Sequence, residues 1–160
     1  MKTVYARGVT IRPLRAGEAD AVQAVFDRLG PRSRQLRFGG TKTILSTGEL
    51  AELTRIDGRR HALVAFDGTV AVGIARLVRD LDHPETAEVA CAVSDSWQGR
   101  GIGRALMERL AADARAAGIT RLRAFIHAEN AASLKLMRRV TKIVETRASG
   151  PELEVIGLAV

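Results

Sequence analysis

The chain has 160 residues, 46% of them apolar and 27% charged, with a net charge of +7. That length fits one domain spanning 1–160, and the apolar share is enough for a packed core, which excludes a disordered chain. The first twenty residues lack the continuous apolar stretch of a secretion signal, and no later segment has the apolar length of a membrane span. With Cys91 as the only cysteine there is no intramolecular disulfide, so the expectation is a cytoplasmic protein that meets no membrane.

Val9 to Leu14 alternates and stops at Pro13, as a first strand does. Val22, Val25, Phe26 and Leu29 recur at helical spacing, and Gly30-Pro31 ends that helix. Ser33 to Phe38 predicts a short helix, Gly39-Gly40 a mobile turn, and Glu49 to Ile56 another short helix. His61 to Phe66 and Val70 to Val78 flank the turn Asp67-Gly68 and form a hairpin. Thr86 to Val93 is a further strand. A glycine-rich turn then leads into a long helix with Ile102, Leu106, Leu110 and Ala114 on one face, capped by Gly118. Leu122 to His127 is a strand, Ala131 to Val140 a helix, and Ile143 to Arg147 and Leu153 to Val160 are closing strands. The order describes one mixed α/β domain without repeats.

The basic balance, with a computed pI of about 10.7, suits nucleic acid, an acidic protein or a phosphorylated cofactor. An arginine-rich coding bias accounts for the excess as readily. A sharper signal is AEVACAVSDSWQGRGIGR, residues 87–104. Here a strand runs through Gln98-Gly99-Arg100-Gly101-Ile102-Gly103 straight into a helix. Glycines let a ligand approach the backbone, and the free N–H groups and positive dipole end of a helix start attract an anion. Arg100 and Arg104 add donors suited to phosphate. A dinucleotide fingerprint needs a third glycine where Arg104 or Leu106 stands, and a Walker loop needs Gly-Lys-Ser/Thr; neither is present. An ordinary tight strand-to-helix turn remains the plain alternative.

Together with the order of elements, this stretch resembles the GNAT superfamily of N-acetyltransferases, whose signature is a strand, Gln/Arg-x-x-Gly-x-Gly/Ala and a helix. Gln98, Gly101 and Gly103 fill it, and Asn130 opens a later helix as in that family. Ser33 to Gly39, Ala75 to Asp80 and Ala87-Glu88-Val89 further resemble bacterial protein-lysine acetyltransferases. The resemblance implies a central twisted, mostly antiparallel sheet, splayed at the cofactor site and flanked by helices. It implies acetyl-coenzyme A as donor, held by Cys91, Ala92, Val93, Gln98, Gly99, Arg100, Gly101, Ile102, Gly103, Arg104, Asn130 and Ser133. The acceptor it implies is a primary amine, most simply a protein lysine, with the protein working as a monomer or homodimer.

It also aligns Glu88 with the family's general base. A lysine amine with a pKa near 10.4 is neutral in only about one molecule per thousand at pH 7, a deficit of about 4 kcal/mol, so proton removal needs help. Glu88 lies in an apolar strand, where desolvation would raise its pKa; it acts directly or through one water, or else sits on a solvated face. Cys91, Ala92 and Val93 would offer a backbone N–H to the thioester carbonyl. The Cys91 thiol has no adjacent histidine and reads as a small packed side chain rather than a nucleophile. Met137 stands where many relatives carry a tyrosine as general acid, and Val140-Thr141 replaces their usual Gly-Phe. Thiolate, with a thiol pKa near 8.5, leaves without much help. His61, His83 and His127 lack metal-ligand spacing, so no metal is expected, and Trp97 reads as a packing residue. Two other functions compete with the enzyme: a degenerate acyl-coenzyme A-binding sensor or interaction module, and a nucleic-acid binder resting on charge alone.

Overall fold

The computed structural model describes residues 3–6, 8–38 and 42–159. In chain order the elements are β1 (Thr3–Ala6), β2 (Val9–Pro13), α1 (Ala19–Asp27), α2 (Pro31–Phe38), α3 (Thr47–Leu53), β3 (Arg60–Asp67), β4 (Val70–Arg79) and β5 (Thr86–Val93). A single 3₁₀ turn (Asp95–Trp97) leads to α4 (Ile102–Ala116), β6 (Arg121–His127), α5 (Ala131–Val140), β7 (Thr141–Ser149) and β8 (Glu152–Ala159). The eight strands form one sheet in the order β1-β2-β3-β4-β5-β6-β8-β7. Every pairing is antiparallel except β5 with β6. That pair needs a crossover to return the chain in the same direction, and α4 supplies it.

The sheet is covered on both faces, which explains why β3 reads as an apolar run rather than an alternation. Leu63 and Ala65 pack with Ile102, Leu106, Leu110 and Ala114 of α4. Ala62 and Val64 pack with Val22, Val25 and Phe26 of α1. α3 begins at a capping box: the Glu49 N–H donates to Ser46 Oγ at 3.0 Å and the Ser46 N–H donates to Glu49 Oε1 at 3.1 Å, so two otherwise orphaned donors are satisfied.

The elements follow the sequence expectations within a few residues. β1 was not anticipated; it is four residues long and exists by pairing with β2. The predicted turn at Gly39-Gly40 lies outside the described residues. α1 ends at Asp27, three residues before the Gly30-Pro31 stop, and Gly118 follows α4 at φ +82°.

Candidate active site

β5 and β6 are paired only at Thr86–Arg121, Ala87–Leu122 and Glu88–Arg123. β5 continues to Val93 and β6 to His127, but no ladder pair joins them beyond Glu88. The two strands therefore part into a V. The gap is a cleft of about 390 Å³, walled by Val89 to Val93, by Ala124 to Ile126, by the starts of α4 and α5, and by α2. Its backbone edges are unpaired in the sheet, so β5 offers N–H and C=O groups to whatever lies in the cleft.

At the open end stands the glycine loop. Gly99 and Gly101 have φ of +77° and +82°, a region that costs any residue with a Cβ. A Cβ on either would meet nothing within 4 Å, so the space beside the loop is open. Gly101 is the N-cap of α4 and supplies no side-chain cap, leaving the first N–H groups of the helix free. An open cradle lined by free helix-start donors fits a diphosphate. Gln98 ties the loop down: its side-chain amide donates to Val93 O at 2.9 Å and to Ser33 Oγ at 3.4 Å. Arg104 borders the cleft while its guanidinium pairs with Glu108 at 2.7 Å on the exposed side of α4. Arg100 is exposed and is not part of the wall.

Asn130 caps α5, its Oδ1 accepting the Ser133 N–H at 3.1 Å, and both residues border the cleft. Cys91 packs towards α4 against the core. It keeps some surface in the cleft, yet the atoms enclosing it push its thiol up to about 12, against an opposing pull from Arg37. A thiol so disinclined to ionise is a poor nucleophile. Met137, in the place of the family tyrosine, is a buried member of the same wall. Trp97 packs against the core and donates from Nε1 to Asp67 Oδ2 at 2.9 Å.

Glu88 departs from the expectation of burial. It is exposed, at the vertex where the strands part, adjacent to Val89 of the wall but not in it. The burial implied by its apolar neighbours is absent because those neighbours alternate onto the opposite face. Asp80, nearby on the β4–β5 loop, is already committed. It accepts from the N–H groups of Asp82 and His83 and from Arg123, bonds that hold its carboxyl below the usual range.

What the sequence does not show is how helix α2 is held against the cleft. Asp95, just past β5, anchors it: its carboxylate accepts from the Gly30 N–H at 3.1 Å and from Ser33 Oγ at 2.7 Å. Leu36 and Arg37 thereby reach the cleft. The signal available in sequence was only an aspartate in the loop, and its partners lie over sixty residues away. Among the described residues no group of three His, Cys, Asp or Glu side chains is placed to hold a metal ion. No described helix is long and apolar enough to cross a membrane.

The family model described as "Acetyltransferase (GNAT) family" matches residues 33–141, more than half of the chain. Acetyltransferase PA5475 of Pseudomonas aeruginosa is 33% identical over 131 residues, covering 79% of this chain and 70% of that protein. Acetyltransferase Pat of Mycolicibacterium smegmatis is 42% identical over 66 residues, 41% of this chain but only 20% of that longer protein. The crystal structure of the GNAT domain of S. lividans PAT superposes with a TM-score of 0.88 at 25% identity, covering 99% of this chain and 96% of that one. The structure of yncA from Salmonella typhimurium with its cofactor acetyl-CoA shares the fold at a TM-score of 0.69 and 21% identity, covering 94% of this chain and 92% of that one.

Proposed function

Since this chain belongs to the acetyltransferase (GNAT) family, whose members use an acyl-coenzyme A donor, we propose that it transfers acetyl from acetyl-coenzyme A to a primary amine, a protein lysine side chain. The observation that carries this reading is the V between β5 and β6, which runs from the helix start at Gly101 to the Glu88–Arg123 pair. A diphosphate would meet the N–H groups from Gly99 to Arg104, and the unpaired backbone of Cys91 to Val93 would face the thioester. Asn130 and Ser133 would line the donor's path at the start of α5.

Glu88 stands at the far end, open to solvent and so to a protein substrate. As general base it takes a proton from the acceptor ammonium, directly or through one water. The neutral amine then attacks the thioester carbon, the C–S bond breaks with the coenzyme leaving as thiolate, and the second proton on nitrogen passes to that thiolate or to water. Cys91 takes no covalent part, since its thiol resists ionisation. The similarity to bacterial protein-lysine acetyltransferases in Ser33 to Gly39, Ala75 to Asp80 and Ala87 to Val89 supports lysine as acceptor. A cytoplasmic protein, acting as a monomer or homodimer, is part of the same reading.

One observation favours a second reading, a domain that senses acyl-coenzyme A without turnover: buried Met137 replaces the tyrosine acid. Incubation with acetyl-coenzyme A and lysine-containing peptides separates the two. Amine-dependent thiol release, with acetylated lysine found by mass spectrometry, is expected. Tight coenzyme binding without release would favour the sensor.

A further inference from the structure

A small side cavity of about 30 Å³ opens off the cleft where Ala90 and Ala92 of β5 face α1 and α2. Its walls are apolar except for two guanidiniums, Arg37 from α2 and Arg76 from β4. Cations in an apolar setting are retained where an anion answers them, and here the protein supplies too few. Glu52 is the carboxylate paired with Arg76, at 3.1 Å, and it is shared with Arg55 and Arg60. The Arg76 Nε is buried with no hydrogen-bond partner. Arg37 makes no ion pair or hydrogen bond among the described residues; its guanidinium stacks on the Phe38 ring at 4.9 Å.

We infer that Arg37 and Arg76 form a carboxylate subsite at the acyl-transfer end of the cleft. The carboxylate arrives either at the tip of the donor's acyl chain, as in succinyl-coenzyme A, or on the acceptor, as an acidic side chain next to the lysine. The inference rests on the proposed function and extends it to a substrate class. The cavity has room for about two waters' worth of ligand, the size of a carboxylate. It lies beside Ala90 and Ala92, flanking the backbone assigned to the thioester. Burial and the neighbouring Arg76 both act to lower the Arg37 pKa, while Cys91, Glu88 and Glu152 act to raise it. Those acidic groups are near enough to be felt, yet none closes on the guanidinium.

Calorimetry with coenzyme A, butyryl-coenzyme A and succinyl-coenzyme A, on the intact chain and on Arg37→Gln, Arg37→Lys and Arg76→Gln, tests the donor source. Kinetics with lysine peptides carrying glutamate or glutamine next to the lysine tests the acceptor source. One of the two carboxylate-bearing ligands should be preferred over its uncharged analogue by about 10–100-fold, the range of a charge-assisted hydrogen bond. Arg37→Gln should abolish that preference, and Arg37→Lys should restore part of it. Arg76→Gln, which leaves α2 untouched, should reduce the same preference. Equal binding of charged and uncharged analogues by the intact chain, with coenzyme A bound normally, would overturn the subsite alone. No binding of coenzyme A would overturn the proposed function and the subsite with it.

Discussion

Glu88 of β5 and Arg123 of β6 are the last pair joined across the parallel part of the sheet, and the cleft begins where their pairing ends. The Arg123 guanidinium turns to Asp80, 3.2 Å away, and over the Phe125 ring. No ion pair with Arg123 occupies Glu88, and Asp80 is held by three donors, the N–H groups of Asp82 and His83 and the Arg123 guanidinium. The vertex of the V therefore carries one exposed, available carboxylate.

Replacing that carboxylate by its amide tests the base. Glu88→Gln is expected to lower kcat by about 10²–10⁴-fold at neutral pH. Coenzyme affinity should hardly change, because the proposed diphosphate cradle at Gly99 to Arg104 lies at the opposite end of the cleft. The deficit should shrink as pH rises towards the amine pKa, where acceptor is already neutral. Turnover against pH for both proteins, on one acceptor, provides the measurement; parallel profiles of equal height would make Glu88 a bystander.

Gly101 tests the phosphate cradle. At φ +82° any side chain strains the helix start by about 1–2 kcal/mol, and Gly101→Asp also brings a negative charge to the proposed phosphate site. Gly101→Ala shares the strain without the charge. Calorimetry should show Gly101→Asp binding coenzyme A far more weakly than Gly101→Ala, and more so at low salt. Equal affinities for the two variants would remove the diphosphate from this loop.

Cys91→Ala should keep turnover within a few-fold, since a thiol pushed up to about 12 holds almost no thiolate at neutral pH. For the same reason alkylation by iodoacetamide at pH 8 should run on the order of 10²–10³-fold slower than for a free thiol. Loss of all turnover in Cys91→Ala, with coenzyme binding retained, would point to a covalent intermediate.

The ion pair at the start of α1 governs part of the acid stability. Arg12 grips both carboxylate oxygens of Glu18 at 2.5 and 2.9 Å, and this bonding lowers the Glu18 pKa to about 2 from 4.5. A depressed folded pKa contributes stability that is complete above the unfolded value near 4.5 and is lost as pH falls towards 2. Both side chains keep some solvent access, so Glu18→Gln should cost about 1 kcal/mol or less at pH 7. Urea unfolding should show the gap between the two proteins closing by about pH 2.

Much of the fold was legible because its causes are local. Thr86–Val93 and Ala131–Val140 match the sequence expectation to the residue. Gly99 and Gly101 were legible as a turn into α4 because glycine alone takes a positive φ without steric cost. The site's other half depends on contacts between distant segments. Strand periodicity cannot say where β5 and β6 stop pairing, so it left open whether Glu88 faced core or solvent. Asp95 anchors α2 across more than sixty residues, and that anchor brings Arg37 to the cleft and beside Arg76. Sequence alone determined the elements other than β1, and the glycine turn before α4, through φ preference and hydrophobic period. The tertiary structure decided which carboxylate stays free and which guanidiniums meet, because both follow from long-range pairing and packing that no local pattern encodes.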